Sequence, residues 1–386
     1  MNYLPKGGEP MELTLTAKVK LNPSPEQETL LHETRSAYQR GCQYVSNMVF
    51  QNKILKQRKL HDLTYRHLRS VFSLKSQMAQ SVVKTVIARY KSLQSNGHQW
   101  NLVCFKKGEY DLVWHRDYTL CGDVFSINTL HGRIKVSFER KGMERYFDGI
   151  WKFGTAKLIY KNKKWFLHIP VFKQVEDVDL GNIRQVVGVD FGVNFLCTAY
   201  DSQGKTTFFR GKAVKQKRSH YQRLRQELQK RGTTSARRSL KKIGQRENRW
   251  MTDINHSVSK ALVEKYGPNT LFVIEDLTGV RHATERVRLK DRYVTVSWAF
   301  RQLREMLEYK AMRNGSKVIA VDPKFTSQTC PKCGHTERAN RDKRKHLFCC
   351  RNCGYRSNDD RIGAMNLQRK GIEYISAVTG GAGLRL

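Results

Sequence analysis

Two pairs of closely spaced cysteines near the carboxyl end constrain this chain more than any other feature. The pairs are Cys330 with Cys333 and Cys350 with Cys353. Two residues stand between the cysteines of each pair, a glycine follows each pair, and sixteen residues separate the two pairs. Four thiolates at this spacing complete a tetrahedral Zn²⁺ site with no position left open for a substrate. The array therefore predicts a structural zinc ribbon.

Other potential ligands lie near this array. Cys349 adjoins Cys350, but only Cys350 keeps the two pairs symmetrical, and four cysteines already satisfy the metal without His335 or His346. The total of nine cysteines is odd and five of them are crowded together, which favours metal binding over a disulfide framework. The remaining four are scattered among apolar neighbours and are typical of buried thiols: Cys42, Cys104, Cys121 and Cys197.

The charge balance indicates a polyanionic partner. Lys and Arg total 71 against 34 acidic residues, a formal net charge of +37. A compact fold with this excess repels itself unless an anion neutralises it. Nucleic acid fits best, because each phosphate contacted releases counterions, whereas solubility or an anionic membrane surface needs less charge. With no apolar run of about eighteen residues and no apolar leader in residues 1–10, we expect a cytoplasmic, nucleoid-associated protein without membrane contact.

The first half of the chain changes from a β pattern to a helical one and back. Residues 12–20 alternate apolar and polar and predict a strand. Helical spacing follows from residue 26 to about residue 93. Short β-rich runs then cover residues 124–130, 133–139, 155–160 and 165–171. These patterns predict a small barrel around the N-terminal strand, with helices inserted into it.

The second half contains two hydrophobic strands that end in carboxylates. Residues 186–190 end in Asp190 and are followed by strands near 194–200 and 205–210, an opening typical of an RNase H-like sheet. Residues 271–274 form the second such strand, before Glu275.

The rest of the second half is predicted to be mainly helical. The predicted elements are a basic helical stretch over 210–250 with fifteen Lys or Arg and two Glu, a polar loop to about 296, a helix containing Phe300, Leu303 and Leu307, a strand over 317–321, a helix over 360–371 and a loose tail from 376.

Three carboxylates on separate elements predict a second metal site: Asp190, Glu275 and either Asp359 or Asp360. Shared carboxylates hold two divalent ions about 4 Å apart for phosphodiester hydrolysis, and oxygen ligands select Mg²⁺ or Mn²⁺. A helix N-cap or a surface charge would explain any one of them alone. Asp322 also ends a strand, but its place before the ribbon favours a structural role.

One predicted helix carries polar residues opposite an apolar stripe. Its polar face holds Gln77, Gln80, Lys84 and Lys91. From the residues alone a solvated face is the simpler interpretation, although glutamines beside lysines can contact base edges and phosphates together.

Several motifs give the chain a close resemblance to TnpB proteins of insertion sequences, relatives of the type V CRISPR effectors. The resemblance covers the whole chain and is most specific in the second half. It rests on Gly188-Val-Asp190-Phe-Gly192, Ile274-Glu275-Asp276-Leu277, Thr326-Ser-Gln-Thr-Cys330-Pro-Lys-Cys333-Gly334 and Asn358-Asp359-Asp360-Arg-Ile-Gly363-Ala-Met-Asn366, with Ser76-Gln77-Met-Ala79-Gln80 in the first half.

The resemblance implies a multidomain architecture of the α/β and α+β classes. A wedge-like β-barrel with an inserted helical bundle comes first. A RuvC-like, RNase H-like nuclease domain with an inserted four-cysteine ribbon follows. The expected domains are a barrel over 1–24 and 96–180, a helical recognition domain over 25–95, a RuvC-like domain over 181–326 and 357–375, a zinc ribbon over 327–356 and a flexible tail over 376–386.

The resemblance also implies an activity. TnpB-like proteins bind a guide RNA from the transposon end and cut double-stranded DNA beside a short adjacent motif at one Mg²⁺-dependent RuvC centre. We expect a monomer within such a ribonucleoprotein.

Residue by residue, Asp190, Glu275 and Asp360 match the family triad. Asp360 is preferred to Asp359 because it precedes Asn366 by six residues, the spacing of the family's last motif, although Ile362-Gly363 stands where many relatives carry Asn-Ala. Lys75, Gln77 and Gln80 match the positions that read the adjacent motif, which replaces the solvated-face interpretation, and Lys84 lies on the same face.

Three other functions are compatible with parts of this pattern. A nuclease-inactive, RNA-guided repressor is the main alternative, and three intact acids argue against it. A transposase would need its own strand-transfer residues, for which the sequence offers no candidate beyond these acids. An RNase H-like enzyme that cuts RNA is the third.

Overall fold

The predicted N-terminal strand is β1 (Met11–Asn22), which lies in the middle of an eight-stranded sheet. The computed structural model describes residues 11–106, 108–192, 194–276, 298–342 and 345–379. The chain divides into two units, one from Glu12 to Gln174 and one that begins at Val175. Among the described residues, no helix is both long and apolar enough to span a bilayer.

The sheet of the first unit curves into a nearly closed barrel. Its strand order is β2-β7-β8-β1-β5-β4-β3, with β6 paired to β8. The edge strands β2 and β3 are consecutive in the chain and are joined by a tight loop in which the N–H of Tyr118 donates to the carbonyl of Val113. The remaining strands are β2 (Tyr110–Leu112), β3 (Tyr118–Cys121), β4 (Val124–Thr129), β5 (Gly132–Phe138), β6 (Lys152–Phe153), β7 (Ala156–Lys161) and β8 (Lys164–Val175).

Three helices pack on this sheet: α1 (Pro25–Asn52), α2 (Gln57–Ser70) and α3 (Ser76–Ser95). Ser24 and Gln27 form a reciprocal capping box that fixes the start of α1. The apolar stripe of α3 is buried as predicted, and it shares one hydrophobic core with barrel residues such as Tyr110 and Trp165. The predicted barrel and inserted helices are thus confirmed as elements, while the division into separate domains stays a prediction.

A five-stranded sheet forms the centre of the second unit, in the order β11-β10-β9-β12-β13. Strands β9, β12 and β13 run parallel, whereas β10 pairs antiparallel with β9 and β11. The strands are β9 (Gln185–Asp190), β10 (Phe195–Tyr200), β11 (Thr206–Arg210), β12 (Thr270–Glu275) and β13 (Lys317–Val321), all close to the predicted bounds.

Helices cover both faces of this sheet. They are α4 (Lys212–Arg231), α5 (Thr234–Tyr266), α6 (Trp298–Arg313) and α7 (Asp359–Val378). Because side chains alternate along a strand, Val187 and Val189 pack toward α5 and α6, whereas Val186 packs toward α7. Helices α4 and α5 contain the basic stretch, within which Glu247 is buried and paired with Arg218 and Arg225.

Helix α7 corrects one prediction. It continues to Val378, so the predicted helix end at Gly371 and the predicted tail from Ser376 both come too early. Gly371 does not end the helix. An added Cβ there would lie 2.4 Å from Cγ2 of Val273, so the glycine allows the helix to approach the sheet. Beyond it, Ile375 is 1% exposed and secures the last turns. Residues 380–386 and the predicted polar loop over 277–297 lie outside the described residues.

The cysteine-rich segment between β13 and α7 contains a three-stranded antiparallel sheet. Its strands are β14 (Arg341–Asp342), β15 (Leu347–Cys349) and β16 (Arg356–Asn358). Phe348 is fully buried and packs with Cys330, Cys350 and Ile362. Since Ile362 belongs to α7, this small core attaches the segment to the helix.

Candidate metal centres and nucleic-acid interface

The four predicted zinc ligands lie together. The Sγ atoms of Cys330, Cys333, Cys350 and Cys353 are all within 4.8 Å of one another. Those of Cys330 and Cys353 are 3.6 Å apart, and those of Cys333 and Cys350 are 3.5 Å apart. Four sulfurs gathered this closely, without disulfides, fit a tetrahedral structural Zn²⁺ site.

The backbone around the sulfurs repeats in both halves of the cluster. The N–H of Gly334 donates to the carbonyl of Cys330, and that of Gly354 to the carbonyl of Cys350, each at 3.0 Å. Both glycines have left-handed φ angles, 75° and 71°, which let the turns close. Cys349 lies outside the set of four because it belongs to β15, where it pairs with Arg356.

Asp190 and Glu275 emerge at the same edge of the five-stranded sheet. They end the neighbouring parallel strands β9 and β12, whose register places Ile274 opposite Val189. The following residues on the two strands are Glu275 and Asp190. The carboxyl-terminal edge of parallel strands is where α/β sheets place their ligand sites.

Helix α7 brings Asp360 toward this edge. Two glycines allow the contact: a Cβ on Gly188 would lie 2.0 Å from the carbonyl oxygen of Ala364, and one on Gly363 would lie 2.8 Å from Oδ2 of Asp190. The Asn358 side chain caps the helix by accepting from the N–H of Asp360 at 3.1 Å. Asp360 therefore stands in the first turn of a helix that lies directly against the strand of Asp190.

Burial raises the pKa of each of the three predicted carboxylates. Burial raises the pKa of Asp190 well above its ordinary value, and the negative charges of Glu275 and Asp360 add to that effect. Burial also raises the pKa of Glu275, although the hydrogen bond that Thr326 Oγ1 donates to its Oε1 at 2.6 Å lowers that pKa in part. The pKa of Asp360 is raised by burial and then by the charge of Asp359.

Arg341, on strand β14, is the positive charge common to these acids. Its Nε donates to Oδ2 of Asp359 at 2.8 Å, and its Nη2 lies 3.9 Å from Oδ1 of Asp360. Its charge opposes the rise in pKa of Asp190, Glu275 and Asp360 alike. Sequence reasoning missed this residue, because a single arginine in a basic ribbon gives no signal.

Asp359 and Asp360 have different surroundings. Asp359 is 0% exposed and is held by Arg341, with Nδ1 of His346 3.4 Å from its Oδ1. Ligand atoms of His346, Asp359 and Asp360 lie within 4.8 Å of one another. Among the described residues, this group does not include Asp190 or Glu275. Asp360 thus lies within electrostatic range of Asp190, while its close neighbours are Asp359 and His346.

Two further residues support the edge of the sheet. The Asn366 side chain in α7 donates to the carbonyls of Thr326 and Thr329 at 2.7 and 2.8 Å. Thr326 in turn holds Glu275. Both residues stand in motifs that carry the resemblance, but only the structure shows that they position a carboxylate.

The donor set at this edge fits a hard divalent cation. Carboxylate oxygens are the ligands that Mg²⁺ and Mn²⁺ prefer. Three acids whose pKa values are raised mainly by burial are stabilised in their ionised form by such a charge. Asp322, by contrast, is exposed and accepts from the N–H of Lys324, as expected for a turn residue.

The predicted DNA-reading residues lie at the start of α3. Lys75 Nζ donates to Oδ1 of Asn128 at 2.9 Å, and Gln77 Oε1 accepts from Arg116 Nη1 at 3.2 Å. Gln80 is half-buried on the next turn. Arg116 is exposed, and sequence reasoning had not included it in this polar surface.

Lys84 is exposed and lines a groove of about 890 Å³ beside α3. Three other basic residues line it, Arg89, Lys106 and Lys157, together with Glu109 and Asp111. Lys157 pairs with Asp111 at 3.1 Å, which neutralises one charge of each sign. The remaining excess of positive charge is suited to a phosphate backbone.

Two family models match separate parts of the chain. The OrfB_IS605 family, described as "Probable transposase", matches residues 168–284, and the Cas12f1-like TNB domain matches residues 300–367. The two matched regions contain the three predicted acids and all four clustered cysteines.

Curated relatives agree with these matches. A TnpB-like protein of Methanocaldococcus jannaschii is 29% identical over 60% of this chain and 83% of its own length. The CRISPR-associated endodeoxyribonuclease Cas12f1 of Sulfoacidibacillus thermotolerans is 27% identical over 61% of this chain. The match spans 57% of that relative's length.

The fold has a solved counterpart. The Cas12f1 chain in a cryo-EM structure of a Cas12f1-sgRNA-target DNA complex superposes with a TM-score of 0.61, covering 92% of this chain and 99% of that chain at 13% identity. At this identity the likeness concerns the fold alone. In sequence motifs, family models and curated relatives alike, the chain is similar to TnpB-like proteins and to the Cas12f effectors.

Proposed function

We propose that this protein is an RNA-guided DNA endonuclease encoded by a transposon, acting as a monomer with a guide RNA from the transposon end. The observation that supports the proposal is that Asp190 and Glu275 end neighbouring strands at one edge of the second unit's sheet, with Asp360 close enough for its charge to raise the pKa of Asp190. The names of the relatives, an endodeoxyribonuclease and a TnpB-like protein, support the same activity.

In this proposal the second unit is a RuvC-like domain whose three acids hold Mg²⁺ or Mn²⁺. Two such ions would activate a water and stabilise the leaving 3′-oxygen during hydrolysis of a phosphodiester bond. The chain's own residues prepare the site: Thr326 orients Glu275, and Arg341 offsets part of the negative charge. Asp359 holds Arg341 in place rather than binding the metal.

The zinc ribbon has a positioning role in this proposal. Zn²⁺ on the four cysteines would fix the segment that carries β14, and β14 carries Arg341. A structural metal of this kind contributes to folding rather than to chemistry. The ribbon thereby connects metal binding to the arrangement of the acids.

Binding of guide RNA and target DNA would use the basic surfaces. Helices α4 and α5 carry most of the fifteen Lys or Arg of residues 210–250, and phosphate contacts position a nucleic acid without specifying its sequence. Lys75, Gln77, Gln80 and Lys84 on and before α3 would read the motif beside the target, with Arg116 as an added donor next to Gln77.

Purification followed by sequencing of bound RNA tests this function. The protein, produced with the flanking DNA of its own gene, should retain one abundant RNA species that resists DNase and is removed by RNase. Loaded with that RNA and Mg²⁺, it should cut plasmids that carry the matching target beside one short motif from a randomised library. Protein that retains no defined RNA, or that cuts without regard to the guide, would contradict the proposal.

A further inference from the structure

A cavity of about 620 Å³ in the first unit is lined mainly by aromatic rings. Six rings contribute: Trp114, Tyr146, Phe147, Trp151, Phe153 and Phe172. They come from the loop before β3, from the segment between β5 and β6, and from β6 and β8. Neither the predicted metal centres nor the α3 surface uses any of these residues.

Tyr146 belongs to the barrel's core and four of the other rings pack against that core, but most of the six remain partly exposed. The core rings Trp165 and Tyr110 are fully buried, whereas five of the six cavity rings are only half-buried. Trp114 and Phe153 meet edge to face, with centroids 4.8 Å apart and an interplanar angle of 68°. Tyr146 and Trp151 do the same at 5.6 Å and 69°. Edge-to-face pairs leave ring faces that the partner ring does not cover, and such faces can stack on a flat ligand.

Three positive charges lie beside the cavity or its rings. The ammonium of Lys173 lies 5.2 Å from the centroid of Trp151, and the guanidinium of Arg145 lies 4.7 Å from that of Tyr146. Lys152 is exposed and lines the cavity itself. A purely apolar occupant gains nothing from these cations, whereas a nucleotide offers a flat aromatic base together with an anionic phosphate.

We propose that this aromatic cavity receives an unpaired base of bound RNA, stacked on the rings around Trp151, with its phosphate near Lys152 and Lys173. Proteins recognise single-stranded RNA in this way, by stacking splayed bases on aromatic side chains beside a basic track. A volume of this size is within the usual range of small-ligand pockets. The inference rests on the proposed function only in requiring that the chain binds RNA.

Photocrosslinking of the full wild-type chain tests the site without any substitution. The probe is a six-residue oligouridine containing 4-thiouridine, irradiated with the protein and mapped by mass spectrometry. Adducts should appear on the cavity rings, with Trp151 or Trp114 among them. Adducts confined to the basic helices α4 and α5 would overturn the proposal. The proposal would also be overturned if the matching thiothymidine DNA and an apolar photoprobe labelled the cavity as strongly as the oligouridine does. The cavity would then accept any flat or apolar group.

Binding of the same oligouridine, followed by anisotropy across a salt series, gives the second test. Trp151→Ala should weaken binding about 5- to 150-fold, the range for loss of one stacked base, without changing the slope of log Kd against log salt. Lys152→Gln should lower that slope by about 0.7, as for one phosphate contact with a single strand.

Trp151→Phe retains a ring and should bind within a few-fold of wild type. Ile150→Ala alters a neighbouring side chain that is 64% exposed and should have no effect. Equal affinity of wild type and Trp151→Ala would exclude the site. Guide-dependent cleavage is measured separately. The oligouridine binding result can therefore be interpreted even if the endonuclease proposal fails.

Discussion

Arg341 and Asp359 form an ion pair 2.8 Å long between the cysteine-rich segment and the first turn of α7. The arginine belongs to β14, and the aspartate precedes the predicted metal ligand Asp360 by one residue. Because Asp359 is fully buried, this pair fixes the orientation of the helix start relative to the ribbon. The two adjacent aspartates can therefore have different functions although the sequence alone leaves them hard to separate.

The first prediction separates the two aspartates. Asp360→Ala should abolish DNA cleavage with little change in thermal stability. Asp359→Ala should retain substantial cleavage at moderate temperature but lower stability by on the order of 2 kcal/mol, since a charge-assisted hydrogen bond to Arg341 is lost. Cleavage assays and thermal melts of the two variants check this. The assignment of the third ligand moves by one residue if Asp359→Ala is inactive and Asp360→Ala cuts.

The raised pKa of Asp190 predicts how metal-free stability depends on pH. The folded protein holds the Asp190 proton to a higher pH than the unfolded chain does, where the pKa is about 3.9. The folded state therefore loses stability as pH rises from about 4 through the raised pKa. Asp190→Asn removes this loss, so without metal the variant should melt above wild type at pH 7, with a smaller difference at pH 4.

Mg²⁺ provides the complementary measurement. It should raise the melting temperature of the wild type at pH 7 and leave that of Asp190→Asn nearly unchanged, because the neutral side chain is a poorer ligand for a hard cation. Asp322→Asn, at an exposed turn after β13, is the matched control and should respond to Mg²⁺ like wild type. Equal responses of all three proteins would place the metal elsewhere.

Much of the fold could be predicted from hydrophobic periodicity and strand-ending acids. The end of α7 could not, because Gly371 resembles a helix terminator in sequence and acts as a packing contact in the structure. Gly188 is a similar case: its motif marks a strand, but only the structure shows that α7 backbone occupies the place of its missing side chain. Such close approaches depend on tertiary packing, which no local pattern records.

The candidate site could be predicted where its residues follow from local context. Asp190 and Glu275 end hydrophobic strands, and the cysteines have metal-ligand spacing. Arg341 and Thr326 were not predictable by residue type, since their roles arise from contacts across 18 and 51 residues of chain. Long-range partners of this kind depend on how the ribbon folds against α7.

The zinc prediction uses a matched pair of neighbouring cysteines. Cys350→Ser should release one Zn²⁺ per chain and lower thermal stability, because ligand binding is coupled to folding of the ribbon. Cys349→Ser should retain the metal, as its sulfur lies outside the cluster. Elemental analysis of purified proteins measures both. Native protein without zinc, or loss of zinc from Cys349→Ser, would contradict the assignment.

The fourth prediction concerns the start of α3. Replacing Gln77 and Gln80 together with Ala should relax or abolish selection of the sequence beside the target, while guide-RNA binding stays near normal, since base contacts specify and phosphate contacts position. A cleavage library with randomised flanks measures the selection. Lys84→Ala should instead weaken binding to all flanks alike. An unchanged flank preference in the double variant would restore the interpretation of this face as solvated surface.

The most direct test of the whole account is guided cleavage by wild type and Asp190→Ala, each loaded with its RNA and given Mg²⁺. Wild type should cut both strands of a matched target, and EDTA should stop the cleavage. Asp190→Ala should cut neither strand yet bind the target with wild-type affinity, because the substitution removes a metal ligand and leaves the basic surfaces intact. Wild-type protein that binds matched DNA without ever cutting it, or Asp190→Ala that cuts like wild type, would contradict the account.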